Sequence, residues 1–84
     1  MRHCILTFRS VTPAQRGEAI LKREGINCTL QRTPRSMQEK GCGYCLMLRQ
    51  QDAIRSAELL RRNQIPFQKS YQRRENGSFE EVAL

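Results

Sequence analysis

The stretch Ile20-Leu21-Lys22-Arg23-Glu24-Gly25-Ile26 returns 39 positions later, in altered form, as Leu59-Leu60-Arg61-Arg62-Asn63-Gln64-Ile65. In both copies an aliphatic pair and two basic residues close a helical pattern, and an isoleucine follows the break. An echo at that offset in a chain of 84 residues means that one βαβ unit is used twice. A chain this short forms one domain with a modest core, so any site it carries is shallow and lies on a loop or an edge.

Outward from the first copy, residues 3 to 8 alternate, with Cys4, Leu6 and Phe8 on one side and Ile5 on the other. That pattern predicts a strand covered in part on both faces. Thr12-Pro13-Ala14-Gln15 announces a helix, with Thr12 as N-cap, Pro13 in the first helical position and Gln15 completing a capping box. Its expected buried stripe is Ala14, Gly17, Ile20 and Leu21, with Gly17 giving up helix propensity for a close approach to a sheet. Gly25 ends the helix in a left-handed cap, and Ile26, Cys28 and Leu30 alternate with Asn27, Thr29 and Gln31 as a second strand. A polar loop runs from Arg32 to Gly41, and a third strand from about Gly43 to Leu48. The second helix covers Gln51 to Arg62 with Ala53, Ile54, Ala57 and Leu60 inward. Pro66 forbids its continuation, and Phe67 to Tyr71 supply a fourth strand.

The order βαββαβ predicts an α+β, ferredoxin-like sandwich: a four-stranded antiparallel sheet with two helices on one face. Residues 1–72 form this single domain, and residues 73–84 form a C-terminal tail. Within the tail, Asn76-Gly77 is a strong hairpin signal. The tail reads either as an extra edge strand, with Phe79 and Val82 packing or pairing with a second subunit of a homodimer, or as a frayed end.

Fifteen Lys and Arg against eight Asp and Glu leave a charge of +7. A field of that sign draws nucleic acid, acidic proteins or anionic metabolites without choosing among them. The five aromatic residues do not cluster as in a stacking platform for RNA, which sets nucleic acid behind other partners. The first residues hold too short an apolar run for a signal peptide, and no segment approaches a membrane span. The expected location is therefore cytoplasmic, where thiols stay reduced.

Cys4 and Cys28 fall on apolar positions of the first two strands and Cys45 lies inside the third, so packing is their default role. Cys42 differs. Gly41 and Gly43 flank it, Lys40 precedes it, and Arg32 and Arg35 share its loop. Positive charge and free amides are what lower a thiol's pKa and hold the nucleophilic thiolate. One CxxC and a single distant histidine, His3, do not make a zinc site within one chain, so no metal is expected. Neither a catalytic triad nor a phosphate loop can be assembled. The sequence Cys42-Gly43-Tyr44-Cys45 also suits a redox dithiol in which Cys45 resolves Cys42.

Ile5-Leu6-Thr7-Phe8 at the start, Gly25-Ile26-Asn27-Cys28 after the first helix, Thr33-Pro34-Arg35 opening the loop and Cys42-Gly43 closing it together resemble the small bacterial selenium/sulfur carrier protein-like family. The resemblance covers roughly residues 3 to 72, and Thr-Pro-Arg followed by Cys-Gly is its most specific part. It implies a carrier or accessory protein rather than an ordinary enzyme, with Cys42 holding a sulfur or selenium atom for transfer from a donor to an acceptor protein. It further implies Gly43 as the partner of Cys42, and Thr33, Pro34 and Arg35 as the element facing it. No cofactor is implied beyond the transient atom on Cys42. The amides around Gly41 and Gly43, with Arg35 and Lys40, are then the groups suited to hold that atom's charge. Cys45 departs from the family pattern, and both a resolving thiol and a packed strand residue stay open for it. A thiol-disulfide protein and a basic module for nucleic acid or an acidic protein remain the other readings.

Overall fold

The computed structural model describes residues 3–33 and 43–84. In chain order the elements are β1 (His3–Phe8), α1 (Val11–Arg23), β2 (Cys28–Arg32), β3 (Tyr44–Arg49), α2 (Ala53–Arg62), β4 (Ser70–Arg73) and β5 (Phe79–Val82). A 3-10 turn at Gln50–Asp52 leads into α2. The protein is α+β, with every strand pair antiparallel and the order β2-β3-β1-β4-β5. Each βαβ unit therefore straddles a strand of the other: β3 lies between β1 and β2, and β1 between β3 and β4.

The sheet has five strands, not the four expected. The tail supplies the fifth: Gly77 takes φ +86, the Gly77 amide donates to the Arg74 carbonyl at 3.0 Å, and the Asn76 side chain accepts from the Ser78 amide at 3.0 Å. This turn carries Phe79–Val82 back along β4, with Tyr71 opposite Glu81.

Alternation divides the side chains between two faces. Cys4, Leu6 and Phe8 of β1, Cys28 of β2, and Leu46 and Leu48 of β3 meet Ala14 and Leu21 of α1 and Ala53 and Leu60 of α2. Each large side chain fully buried there stabilises the fold by roughly 1.5–3 kcal/mol before entropy is counted. Ile5, Cys45 and Tyr71 form a second cluster with Met47 and Phe79 on the opposite face. Gly17 is where α1 comes closest: a methyl group there would sit 3.2 Å from Leu60 and 3.3 Å from Leu46, so only glycine fits without a shift.

Three local expectations are corrected. The N-cap of α1 is Ser10, not Thr12, and no side-chain cap bond forms. Pro13 is then the third helical residue, still among the four whose amides have no intrahelical partner, so its missing N–H costs nothing. Ile54 is 67% exposed, because Ala53, Ser56, Ala57 and Leu60 complete the inward stripe of α2 and small residues let the helix lie close. The fourth strand starts at Ser70 and not at Phe67. The buried Thr7 hydroxyl accepts from the Lys69 amide at 3.0 Å, and the Thr7 carbonyl accepts from Gln68 at 2.7 Å, which breaks the regular ladder there.

Candidate functional site

The β2–β3 pair places the sequence-predicted site at one end of the sheet. Leu30 faces Leu46, Gln31 faces Cys45, and Arg32 faces Tyr44. Past them the Thr33 amide donates to the Gly43 carbonyl at 3.2 Å, so residues ten apart in sequence close the ladder. Thr33 is buried although it follows the last residue of an edge strand. Of the predicted site residues, Thr33, Gly43 and Cys45 are thereby brought together. Pro34, Arg35, Lys40, Gly41 and Cys42 lie outside the described residues.

Gly43 is not glycine for reasons of the strand. Among the described residues, a methyl group added there meets nothing within 4 Å, and its φ is outside the left-handed region. As far as the described residues go, the residue bonded to Cys42 has an open flank at the mouth of β3.

Arg32, read as a loop residue from the sequence, is the last residue of β2. Its guanidinium stacks over the Tyr44 ring at 5.4 Å, which keeps a cation beside the Thr33–Gly43 closure. Stacking of this kind depends on cross-strand register, and sequence alone did not give the register. The same holds for Gln31, which the sequence reading passed over and which sits directly opposite Cys45.

Cys45 pairs with Thr7 on β1 and Gln31 on β2 and is wholly buried. Burial raises its thiol pKa, while hydrogen bonds from Gln31 and Thr33 pull it partly back. Cys4, also wholly buried, is pushed up to about 11 by burial alone. Cys28 is raised by burial and by the Glu18 carboxylate, with Lys22 opposing, and its thiol points at the Glu18 carbonyl 3.9 Å away. All three are free thiols. A neutral, covered thiol is neither a nucleophile nor a metal ligand. Among the described residues no three His, Cys, Asp or Glu side chains gather to hold a metal ion. No helix there is long and apolar enough to cross a membrane.

Compared with known proteins, residues 3–72 match the family model described as "Putative Se/S carrier protein-like". The match takes in Thr33-Pro34-Arg35 and Cys42-Gly43 together with β1 to β4 up to Gln72. No curated protein and no solved structure matches the chain.

Proposed function

The chain belongs to the Se/S carrier protein-like family, and from that premise we propose that it carries a sulfur or selenium atom on Cys42 and passes it to an acceptor protein. The observation that supports this most is the fate of the other thiols. Cys4, Cys28 and Cys45 are buried in the sheet with raised pKa values, so packing accounts for them. Cys42 is the cysteine left for chemistry.

The transfer is an exchange with no net oxidation. The Cys42 thiolate attacks the outer sulfur of a donor persulfide; the donor's S–S bond breaks, the donor leaves as a thiolate, and Cys42 becomes a persulfide. An acceptor nucleophile then attacks the same outer atom and Cys42 leaves as a thiolate. With selenium the outer atom is selenium and the bookkeeping of bonds is unchanged. Arg35, Lys40 and the amides around Gly41 and Gly43 hold the negative outer atom, and Arg32, fixed on Tyr44, adds a cation at the same end of the sheet. Thr33, tied to Gly43, anchors the near end of this element, and the resemblance gives Pro34 a part in it. Such a protein acts as an accessory to donor and acceptor enzymes in a compartment that keeps thiols reduced.

The test is loading. Protein incubated with a cysteine desulfurase and cysteine should gain one cyanide-labile sulfur. Cys42→Ala should lose it and Cys45→Ala should keep it. A wild-type protein that never takes up labile sulfur, or a Cys42→Ala variant that still does, refutes the reading.

A further inference from the structure

β5 extends the sheet past the end of α2 and leaves a recess between them. Val82 is the register partner of Ser70, which faces Leu6 on β1. Leu6 points to the helix-covered face, so Val82 does too. Ile65, Phe67, Val82 and Leu84 wall a recess of about 740 Å³ there. Ile65 is buried and the other three are half-buried, so apolar surface stays open within it.

Arg61 and Gln64 stand on its rim. The Arg61 guanidinium lies over the Phe67 ring at 5.3 Å and donates from Nη2 to the Leu84 carbonyl. Two contacts thus hold the fork in place, with further N–H groups left for a ligand. Gln64 ends α2 as Gly25 ends α1. Its amide donates to Arg61 at 3.1 Å and that of Ile65 to Leu60 at 2.9 Å, as Gly25 donates to Lys22 at 3.0 Å and Ile26 to Leu21 at 2.9 Å. Both residues take positive φ, +81 at Gly25 and +58 at Gln64. Glycine makes this turn freely, whereas a side chain there is strained. The second copy of the turn keeps one nevertheless, and it stands at the recess.

Thr7 bonds to Gln68 and Lys69, and Phe8 is the partner of Tyr44, so the recess lies at the end of the sheet where Gly43 lies. Among the described residues that end carries Arg9, Arg32, Arg61, Arg62 and Lys69. Against them stand two side-chain carboxylates, Glu58 one turn back on α2 and Glu81, which Lys69 holds at 3.4 Å. We propose that the recess docks an acidic segment of a partner protein, with an apolar side chain seated between Phe67 and Val82 and a flanking carboxylate on Arg61. An apolar anchor in a pocket beside a fixed arginine is where binding energy concentrates in protein interfaces, and the guanidinium fork suits a carboxylate. Nucleic acid fits less well. Phe67, the one aromatic ring of the recess, already packs on the core and under Arg61, which leaves it poorly placed to stack a base, and Glu81 on the rim repels phosphate. Docking needs no Cys42; that the partner is the acceptor rests on the carrier reading.

The test is NMR titration of the isotopically labelled chain at physiological salt. One probe is an acetylated peptide of three glutamates, one phenylalanine and three more glutamates; the other is an eight-nucleotide oligouridylate. Saturable peptide shifts centred on Arg61, Phe67 and Val82 are expected. Arg61→Gln, or a peptide with alanine for its phenylalanine, should weaken binding at least fivefold. Arg23→Gln, which removes the same charge from the end of α1, should change it less than twofold. Gln64→Gly relieves the strained turn, so it should raise the urea midpoint while weakening peptide binding at least threefold; a merely structural role would not part the two. Cys42→Ala should bind as wild type does, so loss of docking and loss of sulfur loading are read separately. Absence of saturable shifts at the recess, an equal loss in Arg23→Gln, wild-type binding by Gln64→Gly, or tighter binding of the oligouridylate to the same residues overturns the proposal.

Discussion

Native-state alkylation tests the assignment of chemistry to one thiol out of four. Iodoacetamide reacts with thiolate, so two factors set each rate: the thiolate fraction and access to the sulfur. For Cys4, a shift from 9.0 to about 11 leaves about one hundredth of the thiolate that an unperturbed cysteine holds near neutral pH. Its sulfur is also sealed, as is that of Cys45, so the working route is transient opening. If opening costs about 5 kcal/mol, at the low end for a domain, labelling through the opened state runs about 5,000-fold slower than in denatured protein. Cys28, 8% exposed, should fall between these sites and a free thiol. The assay is a time course quenched with acid, digested and mapped by mass spectrometry, with a denatured sample as the rate standard. Cys42 should be modified first, with Cys4 and Cys45 at least a hundredfold below their denatured rates. If Cys45 is modified within tenfold of its denatured rate while circular dichroism shows an intact fold, its seat in the sheet is wrong. The elimination that points to Cys42 then fails with it.

Other consequences follow from the same geometry. Gly43→Ala meets no atom of the described residues and no forbidden φ, so stability should hold or rise by up to about 1 kcal/mol in urea unfolding. Lost sulfur loading in that folded variant would then report on chemistry beside Cys42, and an unfolded variant would contradict the open flank. Gly17→Ala gains about 1 kcal/mol of helix propensity but forces contacts of 3.2 and 3.3 Å against Leu60 and Leu46 that cost roughly 1–3 kcal/mol. A net loss near 1 kcal/mol is expected, and a more stable protein would deny the close approach of α1. Cys4, with its folded pKa raised, binds a proton more tightly than it does in the unfolded chain; its contribution is complete below pH 9 and lost as pH rises toward 11. Wild type minus Cys4→Val should therefore fall by roughly 2–3 kcal/mol between pH 8.5 and 11 in urea titrations, and a flat difference would mean that Cys4 is not sealed.

The repeat at offset 39 and the alternation of apolar residues carried the two βαβ units, because both are local patterns in which burial dictates residue type. What escaped local reading depended on partners distant in sequence. Ile54 looked inward on hydrophobicity, yet Ser56 lies inward because α2 seats small residues against the sheet. The fourth strand looked as though it began at Phe67, yet the Thr7 hydroxyl, more than sixty positions away, occupies that part of the ladder. The tail's Asn76-Gly77 turn was legible, but β5 exists because β4 offers it an edge, and edges are properties of a sheet. At the site, the family resemblance pointed to Thr33, and that resemblance together with its place beside Cys42 pointed to Gly43; that the two are hydrogen-bonded, with Gln31 and Thr33 against the Cys45 sulfur, follows from register.

The placement of Cys45 bears on which reaction a persulfide on Cys42 would undergo. A dithiol protein attacks its own persulfide with the second thiol, closes a disulfide and releases sulfide. For Cys45 to do this its sulfur must leave a fully buried seat between Thr7 and Gln31, which means unpairing the start of β3 from β1, from β2 or from both. Local opening of a strand paired on both sides costs about 4 kcal/mol or more, which slows the internal attack about a thousandfold. The thiol is also held protonated by burial, which lowers the rate further. An outside acceptor faces neither barrier. The CxxC spacing that suggests a redox pair therefore sits on a strand that keeps its second member from reacting, and that is the condition under which a persulfide lasts long enough to be handed on. Substitutions that loosen the start of β3, such as Thr7→Gly or Gln31→Gly, should shorten the lifetime of the loaded form and produce the Cys42–Cys45 disulfide. If the loaded form survives equally long in those variants and in wild type, burial of Cys45 is not what protects it.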